Sequence, residues 1–281
     1  MRLADISDSA PVEIDVAGTL PEWSAAANRL FATGCEAQGF ALLASFAAPL
    51  MSLFRTDEGG AVVSIYGGKK SGKTVAYEAA GSVWGSTEAL SLAPYAGATR
   101  YVKIAQLCNL PVLDDSLGGR DPDIVRVFLF NFVRRMKGLE WQSLLISFSP
   151  VPVFCNSIIQ RPGVEIDVSV PAALQVRHPS GRDPMVYDLH NNRGHAGHQF
   201  LCWLAQEPNQ KWARKALAAQ IAEMTETVGV EVNTCRYAMR AIAACHVAGQ
   251  IAVSLGILEF EPDRITRWVR ERALPQVQPA G

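Results

Sequence analysis

The chain has 281 residues, with 26 Lys and Arg against 27 Asp and Glu and 49 % apolar residues. This near-balance excludes a strongly basic, histone-like nucleic-acid binder, although it leaves room for a local basic channel. Charged residues at 19 %, with ordinary Gly and Pro content, exclude wholesale disorder. The length suits one large domain, or one domain with flanking pieces.

The six cysteines (Cys35, Cys108, Cys155, Cys202, Cys235 and Cys245) are scattered with no CxxC pair, a pattern of free thiols in a reducing compartment. Residues 1–11 lack the basic-then-apolar order of a secretory signal. Residues 39–54 are short and carry Pro49, and residues 241–258 carry His246 and Gln250, so both read as core helices rather than membrane spans. The expected location is the cytoplasm.

In chain order, residues 1–20 read as an extended lead-in punctuated by Pro11 and Pro21. Helical spacing begins at Trp23 and stops at Gly34, and a second helix covers 36–53 with a kink at Pro49. After the turn at 57–60, residues 61–66 form a short β-branched run, a buried strand. A helix over 73–84 follows, then a loop near 85–94, a helix over 99–108 and a second strand at 110–113. Residues 123–136 read as a helix, 141–148 and 164–170 as strands, and Gln175-Val176 as a candidate fifth strand. The remainder is helical, over 194–204, 210–228, 236–255 and 262–272, ahead of a frayed tail at 274–281. Short buried strands alternating with helices imply an α/β fold with a three-layer, mostly parallel sheet. The organisation expected is an N-terminal helical segment (1–55), a core (56–205) and a C-terminal helical region (206–281).

Gly67-Gly68-Lys69-Lys70-Ser71-Gly72-Lys73-Thr74 fits G-x-x-x-x-G-K-[ST] without a gap, between a buried strand and an amphipathic helix. Glycines let successive N–H groups wrap a phosphate, and the helix N-terminus adds partial positive charge at the same spot. The cofactor-binding residues are therefore Gly67 through Thr74, extending to Val75. In this role Lys73 reaches the β- and γ-phosphates of ATP and the Thr74 hydroxyl ligates Mg²⁺.

Such a loop needs an acid on a neighbouring strand. The run Leu110-Pro111-Val112-Leu113-Asp114-Asp115 ends in two carboxylates. Asp114 is expected to hold Mg²⁺, and Asp115 to polarise the attacking water from a position where many such ATPases carry a glutamate. The run at 141–149 ends in polar residues, and either Ser147 or Ser149 could sense the γ-phosphate. Arg134 and Arg135, after an apolar helix, are candidate fingers for a neighbouring subunit, and Arg236 is a candidate sensor in cis. His190, His195 and His198 are interrupted by Gly194 and Gly197 and lack a matching Cys or Glu set, so they do not read as a zinc site. The basic residues Lys69, Lys70 and 134–137 carry no recognisable nucleic-acid-binding signature.

The run Ser71-Gly72-Lys73-Thr74, followed by Ala80-Gly81-Ser82-Val83-Trp84-Gly85, resembles the signature of the domain of unknown function 927 family, phage- and plasmid-borne P-loop ATPases described as helicase-like. Weaker matches follow in order at Thr99, the strand 110–114, Trp141, the Gly194-His195-Ala196-Gly197 stretch, 236–241, 255–260 and Trp268, so that the resemblance covers 24–272. It implies a RecA/AAA+-like core with helical N- and C-terminal additions, with Arg236 as a family arginine. The chain departs from the family in its Asp-Asp pair and in Ser-Phe-Ser at the third strand's end, and is expected to be without the long N-terminal part of larger relatives.

The function expected is a Mg²⁺-dependent ATPase acting as an oligomeric DNA motor of a phage or mobile element. The expected assembly is a homo-oligomeric ring, with a hexamer as one form, working beside phage replication or packaging proteins. Alternatives are a genome-packaging ATPase and a low-turnover, ATP-dependent assembly or binding module. A metabolic kinase would need a small-molecule acceptor site with a base and a lid, and none is evident.

Overall fold

Apolar, β-branched runs bounded by turns build a four-stranded sheet in the computed structural model, which describes residues 15–54, 57–154, 162–167, 184–228 and 232–274. The strands are β1 (Gly60–Tyr66), β2 (Val112–Asp114), β3 (Ser143–Ser149) and β4 (Gly163–Asp167), in the order β2-β3-β1-β4. Each neighbouring pair is parallel. Every residue of β2 and β3 is buried, so both faces of the sheet are covered, as parallel strands require. The expected α/β architecture is therefore present. The candidate strand at 175–176 and residues 168–170 of the expected fourth strand lie outside the described residues.

The helices are α1 (Leu20–Asn28), α2 (Glu36–Ala47), α3 (Lys73–Ser82), α4 (Thr87–Leu90), α5 (Ala98–Leu107), α6 (Pro122–Arg134), α7 (Pro184–Asn191), α8 (His195–Leu204), α9 (Glu207–Val228), α10 (Val232–Ser254) and α11 (Pro262–Ala273). The helix expected over 36–53 is instead α2 followed by a 3₁₀ segment, Ala48–Leu53. Pro49 supplies no N–H to continue the α-helical ladder, and the tighter turn absorbs it. Two helices do not stand out in the sequence. The four-residue α4 is too short to show a period, and α7 follows directly on a proline-rich stretch.

The end of α3 is the mechanical centre of the helical additions. Gly194 N–H donates to the Ser82 carbonyl, and Gly197 N–H to the Val83 carbonyl, both at 2.8 Å. Backbones meet this closely only because Gly197 has no Cβ, which would lie 2.5 Å from both the Val83 carbonyl oxygen and the Trp84 ring. On the opposite side, the Trp84 indole N–H donates to the Ser45 hydroxyl at 3.0 Å, which in turn donates to the Ala80 carbonyl at 2.5 Å. The Trp23 indole donates to the Ser82 hydroxyl at 2.9 Å. The stretch 80–84 thus ties α1, α2 and α8 to the helix that follows the glycine-rich turn.

The C-terminal helices close onto the N-terminal ones. Phe260 stacks on Phe31 at 3.9 Å between ring centroids, Glu259 N–H donates to the Asn28 side chain at 2.8 Å, and Arg264 pairs with Glu36 at 3.0 Å. One buried apolar cluster runs through residues of all three expected segments. Adding a methyl at the α8 contact tests the α3–α8 seam. Gly197→Ala is expected to lower stability by about 1–3 kcal/mol through overpacking, read as a lower urea midpoint at unchanged m-value.

Candidate nucleotide-binding site

The turn between β1 and α3 holds its shape through backbone angles that only certain residues tolerate. Gly72 sits at φ 82° as the N-cap of α3, and Lys70 is held at φ 66°. Lys73, the first residue of the helix, folds back over the loop. Its Nζ donates to the carbonyls of Gly67 (2.5 Å) and Gly68 (2.7 Å) and to the Ser71 hydroxyl (3.0 Å). Partial burial holds the ammonium below the ordinary lysine pKa. Gly68, Lys69, Lys70 and Thr74 are exposed, so the mouth of the loop opens to solvent.

Two contacts seat the turn. Gly67 N–H donates to the Ser149 carbonyl at 3.1 Å, joining the loop to the end of the neighbouring strand. The Gln38 side chain of α2, buried to 1 % exposure, donates to the Ser71 carbonyl at 2.9 Å. Gln38 is a positioning residue that motif matching overlooks. Its signal in the sequence is a lone amide in the apolar run of α2, since a buried amide must find a partner.

The register separates the two serines of β3. Ser149 is paired with Tyr66 at the edge of the loop, whereas Ser147 is paired with Ser64 and Asp114 inside the sheet. The Ser149 hydroxyl is buried and accepts from Val151 N–H at 3.1 Å, so it is the Ser149 carbonyl that touches the loop.

Asp114 and Asp115 have opposite surroundings. Asp114 is fully buried. One carboxylate oxygen accepts from Ser116 N–H (2.7 Å) and the Ser116 hydroxyl (2.8 Å), and the other pairs with the Arg100 guanidinium of α5. Arg100 is itself buried, stacks over Phe128 of α6 at 4.4 Å, and has its pKa lowered to about 10, first by burial and then by the nearby charge of Arg120. Asp115 is exposed. Its carboxylate acts on Tyr77 of α3, whose phenol pKa is raised first by burial, with Ser91 opposing through a hydrogen bond and Asp115, Glu78 and Glu88 adding to the rise. Tyr77 packs edge-on against Phe148, 5.4 Å between centroids.

The arginines lie elsewhere. Arg134 and Arg135 end α6, where Gly59 N–H donates to the Val133 carbonyl at the start of β1. Arg134 is exposed and lies over the Phe130 ring at 4.9 Å. Arg236, expected as a sensor in cis, instead pairs with Glu58 at 2.8 Å beside Tyr237 and Arg240. Glu58 precedes β1, and that seven-residue strand separates it from the loop by about 20 Å. Arg236 is thus remote from the loop of its own chain. His195 Nε2 lies 2.9 Å from the Gly18 carbonyl, and His198 stands against Cys202 at 3.8 Å.

Among the described residues no group of three or more His, Cys, Asp or Glu is placed to hold a metal. A Mg²⁺ ion on a nucleotide needs no such cage, because phosphates and waters supply most of its ligands and the protein adds a hydroxyl and one or two carboxylates. The exposed Thr74 hydroxyl and the exposed Asp115 carboxylate are hard oxygen donors of that kind. Nor is any helix among the described residues long and apolar enough to cross a membrane.

A parallel α/β sheet with a glycine-rich, lysine-bearing turn at its carboxyl edge defines the class, and the comparisons narrow it. The model of the family described as Domain of unknown function (DUF927) matches residues 6–103, which bears out the resemblance seen in 71–85. A solved structure described as "SCCmec type IV Cch - active helicase" shares the fold at TM-score 0.68 and 17 % identity, covering 92 % of this chain and 51 % of that one. This chain therefore spans about half the length of that protein. No curated protein matches the sequence.

The Glu58 cluster makes a pH prediction. Burial pushes the Glu58 carboxyl up, but hydrogen bonds from Tyr237 and Arg240 and the charges of Arg240 and Arg236 outweigh it, leaving the pKa below its ordinary 4.5. A carboxyl lowered on folding adds stability above its unfolded pKa and loses it as pH falls through the folded value. Glu58→Gln is expected to be less stable than wild type at neutral pH. Urea unfolding across pH should show the gap closing below about 4.5.

Proposed function

We propose that this chain is a Mg²⁺-dependent ATPase of helicase-like type, working as a homo-oligomeric DNA motor of a mobile element. The observation that carries the reading is the seated turn 67–74, with the Lys73 ammonium resting on the carbonyls of Gly67 and Gly68. The family match over the same stretch and the fold shared with the structure described as an SCCmec active helicase support it.

In this reading the N–H groups of residues 68–75 and the N-terminus of α3 receive the β- and γ-phosphates. Lys73 exchanges its carbonyl partners for phosphate oxygens, a change favoured because an anion replaces neutral dipoles. Mg²⁺, held by the Thr74 hydroxyl and a carboxylate from the end of β2, would neutralise charge on the β- and γ-oxygens. Ser149 and Gln38 keep the loop from shifting as the phosphate arrives. Water attacks the γ-phosphorus, the bond to the ADP oxygen breaks, and the proton of the water passes to solvent. In this reading Arg134, exposed at the end of α6, serves a neighbour's nucleotide in an oligomer.

A low-turnover assembly module is the second reading, favoured by Asp115 where such ATPases commonly carry a glutamate. Hydrolysis with and without DNA separates the two. The motor reading expects DNA to stimulate ATP turnover and Lys73→Ala to reduce nucleotide binding and turnover to background. Tight ATP binding with turnover indifferent to DNA would instead leave the assembly module.

A further inference from the structure

We propose that Asp115 is the carboxylate that serves the Thr74 metal position, while Asp114 is a positioning residue locked into the opposite face of the sheet by Arg100. The inference rests on the nucleotide-binding reading and assigns work within that site.

Strand parity carries it. Successive side chains of a strand point to opposite faces, and residues in register across a parallel sheet share a face. Asp114 is in register with Ser147, and Ser147 with Ser64, so these three share one face. Phe148 and Ile65 occupy the other face, and α3 lies on that one, because Tyr77 packs edge-on against Phe148. The helix that begins with Lys73 and Thr74 therefore covers the face away from Asp114.

The environments agree with the parity. One Asp114 oxygen is held by Ser116 and the other faces the guanidinium of Arg100 of α5, which itself lies over Phe128 of α6. Arg100 borders an open groove of about 360 Å³ whose lining includes Tyr101, Leu117, Arg120 and Phe128 and none of residues 67–74. Freeing Asp114 for a cation would strand the Arg100 charge in a buried position, a costly exchange. Asp115, one residue on, is exposed and electrostatically linked to Tyr77. Thr74 and Tyr77 are three residues apart on α3 and so are neighbours on its surface.

This division has a chemical consequence. If Asp115 is taken up by the metal, the end of β2 has no second free carboxylate to polarise water, and intrinsic hydrolysis is slow without help from another subunit.

The test is the factor by which Mg²⁺ tightens binding of a fluorescent, non-hydrolysable ATP analogue, measured with Mg²⁺ and with EDTA. Asp115→Asn should collapse that factor toward one. Asp114→Asn alone leaves Arg100 unpaired and can fail to fold, so the informative variant is Arg100→Met with Asp114→Asn, checked by thermal unfolding. That double variant should fold and keep the wild-type factor. A factor retained in Asp115→Asn, or lost in the folded double variant, overturns the assignment. A wild-type chain that binds no analogue overturns the nucleotide-binding reading beneath it, and the wild-type arm tells the two failures apart.

Discussion

The constraint on which the rest of the structure depends is the seating of a glycine-rich turn at the carboxyl edge of the sheet. Its first N–H donates to the Ser149 carbonyl, and the carbonyls of Gly67 and Gly68 accept from the Lys73 ammonium. A loop of that kind holds its shape only if its flanks are fixed. β1 is buried between β3 and β4, the Ser149 carbonyl ties the first glycine, and Gln38 ties Ser71 from a helix more than thirty residues earlier. The N-terminal helices are thus part of the support of the loop rather than an appendage.

The same logic explains residues that resemble a family signature but carry no chemistry. Ser82 and Trp84 take hydrogen bonds to Trp23 and Ser45, and the backbone at Ser82 and Val83 receives the glycines of α8. Arg236 and Arg240, spaced four apart on α10, converge on Glu58 at the entry to β1. These contacts fix both ends of the unit formed by β1, the turn and α3. Both ends must be held for the turn between them to keep a phosphate-binding geometry.

The elements most legible in the sequence were those with a period or a punctuation mark. The first three strands, the turn at 67–74 and the long helices lie close to the bounds their sequence implies, because β-branched runs, glycines and apolar stripes are local signals. Pro49 marked its break correctly, but whether it made a kink or a 3₁₀ segment depended on packing. The difference between Asp114 and Asp115 was not legible. Two adjacent carboxylates look alike in a string, and only the register of β2 on β3 and the distant Arg100 separate them. Nor does anything local to Arg236 announce that its partner is Glu58.

The central claim is that the turn at 67–74 receives a nucleotide phosphate. Amide hydrogen exchange, followed with and without Mg²⁺ and ATP, tests it most directly because it reads the loop N–H groups themselves. The account predicts that ATP slows exchange at residues 67–76 and around 112–116, while amides beside Glu58 and Arg236 are unchanged. Exchange at 67–76 that stays the same at saturating ATP would contradict it.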